Sequence, residues 1–177
     1  MSIVTAITAS DETVTGVITA RRSNMKRKLF IGIVLLGSLM LLASCRQGIV
    51  YSAFSTMESE EWHIDSVAHF EYSVADTASD YRILVYVRHT ECYPYQNMWL
   101  FLGDSLHRDT IEFYLADERG NWLGDRHHGF IEMPVLYEER KHYPDTGTYL
   151  LEIQHGMRDT VLRGITDIGV EVVKTEN

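Results

Sequence analysis

Ala68-His69-Phe70-Glu71-Tyr72-Ser73-Val74 and, after a short polar break, Tyr81-Arg82-Ile83-Leu84-Val85-Tyr86-Val87-Arg88 decide the fold class. In the first stretch Ala68, Phe70, Tyr72 and Val74 alternate with His69, Glu71 and Ser73. That two-residue period puts one face in a core and the other in water. In the second, Tyr81, Ile83, Val85 and Val87 share a face, while Leu84 and Tyr86 sit among Arg82 and Arg88 on the other. A strand this apolar on both sides reads as a central one.

Similar runs recur at residues 98–102, 110–115, 130–137, 148–154 and 168–173, and short ones near 49–54 and 61–64 bring the total to eight or nine. In 110–115 the inward residues are Ile111, Phe113 and Leu115. Nothing after residue 45 sustains the i, i+3, i+4, i+7 pattern of a helix over three turns. Gly103-Asp104, Asp117-Glu118-Arg119-Gly120 and Asp145-Thr146-Gly147 supply the turn chemistry between runs. The expectation is an all-β domain, an antiparallel two-sheet β-sandwich of Greek-key or jelly-roll-like kind. Asp145-Thr146-Gly147-Thr148-Tyr149 fits either a tyrosine corner, where the Tyr hydroxyl bonds back across the connection, or an ordinary turn followed by a core Tyr.

The N-terminal part reads as an address. Met25-Lys26-Arg27-Lys28 precedes an uncharged apolar stretch, residues 29–42, and then Ala43-Ser44-Cys45. A charged start, an apolar centre and small residues at the end make a secretory signal over 25–44. The stretch falls short of the about 20 residues that span a bilayer. Leu42-Ala43-Ser44-Cys45 resembles a bacterial lipobox, so Cys45 is expected to carry lipid and become the mature N-terminus. Residues 1–24, rich in Thr, Ala and Ser, read as a spurious or disordered extension ahead of a start at Met25. Segment 45–60 is expected to hold the lipidated Cys and a short tether into the first strand, and 61–177 the sandwich domain. With Cys45 acylated, Cys92 has no disulfide partner and reads as a small buried hydrophobe.

Charge narrows the function. Residues 45–177 carry 11 basic and 23 acidic residues, a net of −12, which repels phosphate backbones and argues against nucleic-acid binding. The eight His form no His-x-x-x-His pair with Glu and no Cys-x-x-Cys partner exists, so surface and edge positions are expected for them rather than a metal site. Asp117, Glu118, Asn121 and Asp125 share a loop without the EF-hand order, and read as a solvated turn. No Gly-x-Ser-x-Gly, phosphate-cradling loop or His-Glu-x-x-His occurs, so neither an enzyme nor a cofactor is expected. Trp62, Trp99 and Trp122, with Tyr93, Tyr95 and Tyr114, could stack sugar rings. Trp99, flanked by Met98, Leu100, Phe101 and Leu102, reads as core, and Trp122, just after a turn, as the exposed aromatic.

Several blocks in order are similar to the gliding-motility lipoproteins called GldH of Bacteroidetes. They are the lipobox Cys45, Trp62, Phe70 and Tyr81, and the strand ending at Arg88. Next come Tyr93-Pro94-Tyr95-Gln96-Asn97-Met98-Trp99-Leu100-Phe101, Asp109-Thr110-Ile111-Glu112 and Gly120-Asn121-Trp122-Leu123-Gly124. Gly147-Thr148-Tyr149, Gln154-His155-Gly156-Met157-Arg158 and Gly164-Ile165-Thr166-Asp167-Ile168-Gly169 complete the set. Asp125-Arg126-His127-His128 departs from the Gly-containing continuation of that pattern. The resemblance implies a non-enzymatic envelope lipoprotein, accessory to the gliding motility and type IX secretion apparatus, with protein partners there. Arg46-Gln47-Gly48-Ile49 lacks both an Asp after the lipidated Cys and an acidic run, so the outer membrane, facing the periplasm, is the expected address. Arg88, Asp109, Trp122 and Arg158 are the candidate contact surface. The alternative is an envelope glycan- or peptidoglycan-binding sandwich.

Overall fold

Alternation in the sequence becomes eleven strands in the computed structural model, which describes residues 48–103 and 107–175. They are β1 (Ile49–Thr56), β2 (Glu61–His63), β3 (Ala68–Val74), β4 (Tyr81–His89), β5 (Asn97–Gly103), β6 (Arg108–Tyr114), β7 (Asp125–Arg126), β8 (Ile131–Lys141), β9 (Gly147–His155), β10 (Val161–Arg163) and β11 (Ile165–Lys174). A 3-10 turn, Glu58–Glu60, leads into β2. The signal segment 25–44 and Cys45 lie outside the described residues.

Two antiparallel sheets carry the architecture. One has five strands in the order β1-β11-β4-β8-β7, the other four in the order β3-β9-β5-β6, and β10 pairs with β2 in a small ribbon. Strand β4 lies between β11 and β8, as its double-sided hydrophobicity predicts. Chain neighbours pair directly only in β5–β6 and β7–β8, and the other connections pass between sheets, an order of the Greek-key or jelly-roll kind. Strand β1 pairs with β11 from Ile49 to Thr56, so the sheet begins within the segment 45–60 and four residues after Cys45.

The inner faces form one core. Phe70, Tyr72 and Val74 of β3, Met98, Leu100 and Leu102 of β5, and Leu151 and Ile153 of β9 meet Ile83, Val85 and Val87 of β4 and Ile168, Val170 and Val172 of β11. Full burial of each such side chain contributes on the order of 1.5–3 kcal/mol, and period-2 alternation is what delivers them to one side. Trp62, on the small ribbon, is fully buried, and its indole N–H donates to the Ser66 carbonyl at 2.7 Å. At one end Tyr72 and Tyr143 share a buried hydroxyl–hydroxyl bond of 2.7 Å, and Tyr149 packs on Tyr143 with ring centroids 4.4 Å apart. The Tyr149 hydroxyl donates to the Asp145 carbonyl at 2.8 Å, which is the tyrosine-corner bond.

Three expectations need correction. Cys92 is exposed: it lies in the turn after β4, where its N–H meets the Thr90 hydroxyl at 3.3 Å, and the loop buries its neighbour Tyr93 instead. His89 and His155 are fully buried rather than surface residues, because each closes the inward series of its strand. Trp99 is 38% exposed, since Met98, Leu100 and Leu102 take the core face and the pleat turns Trp99 outward.

Candidate functional site

The four candidate contact residues do not converge. Arg88 lies on the outer face of the five-stranded sheet, its Nε 2.7 Å from Glu132 and its guanidinium 3.6 Å from the Phe54 ring centroid. Strand pairing explains the bond, because Arg88 and Glu132 are register partners across β4 and β8. Asp109 on β6 accepts a 2.6 Å bond from the Tyr137 hydroxyl on β8, tying the edges of the two sheets together. Burial, then this bond, pushes the Tyr137 hydroxyl well above the ordinary phenol range. Trp122 is half-buried rather than presented to solvent: its ring meets His89 edge-on at 4.6 Å and Tyr93 at 6.3 Å, and it bridges to Ala116. Each of these three side chains has an internal partner. Arg158 is the exception and sits at a cleft.

That cleft, about 420 Å³, is lined by Tyr95, Asn97, Trp99, Gly156, Met157 and Arg158. A split in the four-stranded sheet creates it. Strand β5 pairs with β6 along its whole length but with β9 only from Leu100 to Gly103. Past His155 the chain leaves β5. Gly156 N–H still donates to the Trp99 carbonyl at 2.7 Å, whereas the Trp99 N–H finds only the Met157 sulfur at 3.4 Å. Thioether sulfur is a weak acceptor, so this strand-edge donor is poorly satisfied. Gly156 makes a close approach here: a Cβ would stand 3.1 Å from the Phe101 ring and 3.2 Å from Trp99 Cβ, so a larger residue would push these neighbours by a few tenths of an ångström.

Charged and polar groups frame the opening. The Tyr95 hydroxyl donates to Asp159 at 2.8 Å, and that bond raises its pKa. Asn97 gives its amide to Glu112 at 2.6 Å. Arg158 is exposed and makes no ion pair or hydrogen bond with the described residues. Arg82, Arg88, Arg108, Arg126, Arg140 and Arg163 each meet a carboxylate. Sequence reasoning picked Arg158 and missed Trp99. The available signal was the placement of Tyr95-Gln96-Asn97-Met98-Trp99 and Gly156-Met157-Arg158 within two of the family blocks, which the cleft brings together.

Two other arrangements are chemically quiet. Behind the cleft the His155 ring lies edge-on to Trp62 at 5.3 Å with no hydrogen-bond partner for either nitrogen, although the Trp62 backbone faces it. Burial lowers its pKa, as it does that of His89, whose Nδ1 reaches the Thr90 carbonyl at 3.0 Å while Nε2 has no partner. The Asp117 carboxylate caps its own turn, accepting from the N–H groups of Arg119 and Asn121 and from the Asn121 amide, bonds that lower its pKa. Among the described residues no three His, Cys, Asp or Glu side chains are grouped to hold a metal, and no helix is long and apolar enough to cross a membrane.

Comparison with known proteins bears on the whole domain. The family model described as GldH lipoprotein matches residues 49–172, the span from β1 into β11. A "Gliding motility lipoprotein GldH homolog" of Christiangramia forsetii is 28% identical over 85% of this chain and 99% of its own length. The "Gliding motility lipoprotein GldH" of Flavobacterium johnsoniae is 28% identical over 80% of this chain and 94% of its own. Among solved structures, a chain described as CBM35 from Cellvibrio japonicus Abf62 aligns over 75% of this chain and 94% of its own, at 11% identity and a TM-score of 0.29, too low to bear on function.

Proposed function

The chain belongs to the GldH lipoprotein family, and on that premise we infer that it is a non-enzymatic accessory component of the gliding motility and type IX secretion apparatus. It acts by contact, held to the outer membrane through lipid on Cys45 and facing the periplasm. The observation that carries this reading is the family match along nearly the entire sandwich, together with two full-length relatives that bear the gliding-lipoprotein name. The sequence around Cys45 supports the anchor. A diacylglyceryl group plus a further acyl chain holds a protein stably, where one chain binds only marginally. The absence of an Asp at position 46 supports the outer membrane.

A contact role also fits how polar groups are used. Arg88, Asp109 and Trp122 brace the sandwich, and the one candidate left with an unengaged charge, Arg158, lies beside an exposed Trp and a Met. Interfaces are enriched in that combination of Trp, Tyr, Met and Arg. The test is a deletion strain scored for secreted cargo and, in a host that glides, for surface movement, alongside crosslinking and affinity purification of the protein from its own envelope. Loss of secretion or movement with recovery of a partner complex is expected. Normal secretion and movement with no partner recovered would overturn the role.

A further inference from the structure

We propose that the cleft where β5 and β9 part company captures an extended segment of a partner protein, one that places a single acidic residue next to an apolar side chain. This rests on the contact role above and names the site and chemistry of the contact.

Three features converge on that ligand. The first is the strand edge. Over Asn97–Trp99 strand β5 has no β9 partner; the Asn97 and Trp99 carbonyls already accept from the Tyr93 hydroxyl and the Gly156 N–H, and the one poorly met group is the Trp99 N–H, which reaches only the Met157 sulfur. A peptide carbonyl or carboxylate is a far better acceptor, so an incoming extended chain gains a bond by displacing the sulfur. The second is the apolar lining. Trp99 is 38% exposed beside Met157, and an unbranched, polarisable Met adapts its shape to the side chain it meets. The third is charge. In a segment 45–177 of net −12, six of the eight described arginines meet a carboxylate; Arg119, in a turn away from the cleft, and Arg158, at its rim, meet none among the described residues. A guanidinium offers a two-pronged donor that matches a carboxylate.

The remaining rim groups limit the ligand. Glu112 and Asp159 stand beside the cleft, each already holding a donor, Asn97 and Tyr95 respectively. They repel a run of acids, which restricts the segment to one. They also explain why a glycan fits less well. The hydroxyl of Tyr95 and the amide of Asn97, the groups that would read sugar hydroxyls, are committed to those carboxylates. The cleft's about 420 Å³ lies toward the small end of the roughly 300–1,000 Å³ of ligand sites, which suits two or three side chains of a peptide.

The test selects a displayed library of random twelve-residue peptides against the full-length protein in detergent and measures affinities of the winners through Trp fluorescence. Enriched sequences are expected to share one Asp or Glu adjacent to an aromatic or aliphatic residue. Arg158→Ala and Trp99→Ala should each weaken binding by about thirtyfold, as an interface anchor does. Arg158→Glu, a substitution at an exposed loop position that leaves the fold intact, should shift the selected residue to Lys or Arg. Absence of enrichment, or affinities indifferent to both residues, would overturn the proposal. So would a saturable, Trp99-dependent response to peptidoglycan fragments in place of peptides, which would make the cleft a glycan site. A strain carrying Trp99→Ala and Arg158→Glu separates this inference from the broader role. If deletion abolishes secretion or movement and the double variant, present at normal levels, does not, the cleft reading fails and the assembly role stands.

Discussion

Replacing His155 with Phe should flatten the pH dependence of stability below neutrality. His155 is fully buried, packs edge-on to Trp62 and has no hydrogen-bond partner for either ring nitrogen, so the native state holds it neutral. His89 is buried in the same way, with one nitrogen bonded to the Thr90 carbonyl. Burial lowers both pKa values from the ordinary 6.5. As pH falls through 6.5 the unfolded chain takes up protons at these positions before the native chain does, so stability is full above that value and falls below it until the native rings titrate in turn. The limiting slope is about 1.4 kcal/mol per pH unit for each histidine, about 2.7 for the pair. Asp76, held down to about 2 first by its bond to Lys174 and then by those to Ala78 and Ser79, and Asp117 lose their contributions only at lower pH, outside this window. Urea unfolding followed by Trp fluorescence between about pH 8 and about pH 5 resolves the slope. The variant keeps an aromatic ring against Trp62, and its slope should be shallower than that of the wild type, by at most one proton's worth, whatever its stability at neutral pH. Equal slopes in wild type and variant, or a flat wild-type profile, would refute a neutral buried His155.

Other expectations follow from single contacts. Trp62→Ala removes a wholly buried indole and should cost about 3–5 kcal/mol, read as a lower urea midpoint with unchanged slope. Gly164, at φ +78°, has the Tyr93 nitrogen 2.5 Å from where a Cβ would stand, so Gly164→Ala should destabilise by more than about 1 kcal/mol in the same assay. Cys45→Ser should leave the protein unprocessed or released from membranes on fractionation; membrane association after a cut at residue 44 would sink the anchor.

The strands were legible because burial on a sandwich follows the pleat. Strands β3 and β4 could be read residue by residue: Phe70, Tyr72, Ile83 and Val85 point inward as their spacing requires. The short strands β7 and β10 were not, because two or three residues cannot show a period; β7 exists only as the short arm of a hairpin in which Arg126 meets Ile131, and β10 only because Leu162 meets Trp62 from a distant part of the chain. The two buried histidines were missed for a related reason. A polar residue at the end of an inward series reads equally as the last core position or the first exposed one, and the ribbon that covers His155 with Trp62 is a tertiary feature.

Trp99 shows the harder limit. Met98-Trp99-Leu100-Phe101-Leu102 is apolar on both faces, which composition reads as a strand covered on both sides. A two-sheet sandwich covers only one face of each sheet, so an apolar residue on the wrong parity must face outward however hydrophobic it is. The informative signal was therefore the excess itself: β3 keeps His, Glu and Ser on its outer face, whereas β5 puts Trp99 and Phe101 there. Such a face usually draws a third layer. The described chain supplies only a partial one, Gly156 and Met157 folded over the edge of β5, and leaves Trp99 more than a third exposed beside an arginine without a partner. Strand count and parity thus lead from the sequence to an aromatic that the described residues leave uncovered, and it is on this side chain that the proposed peptide cleft is built.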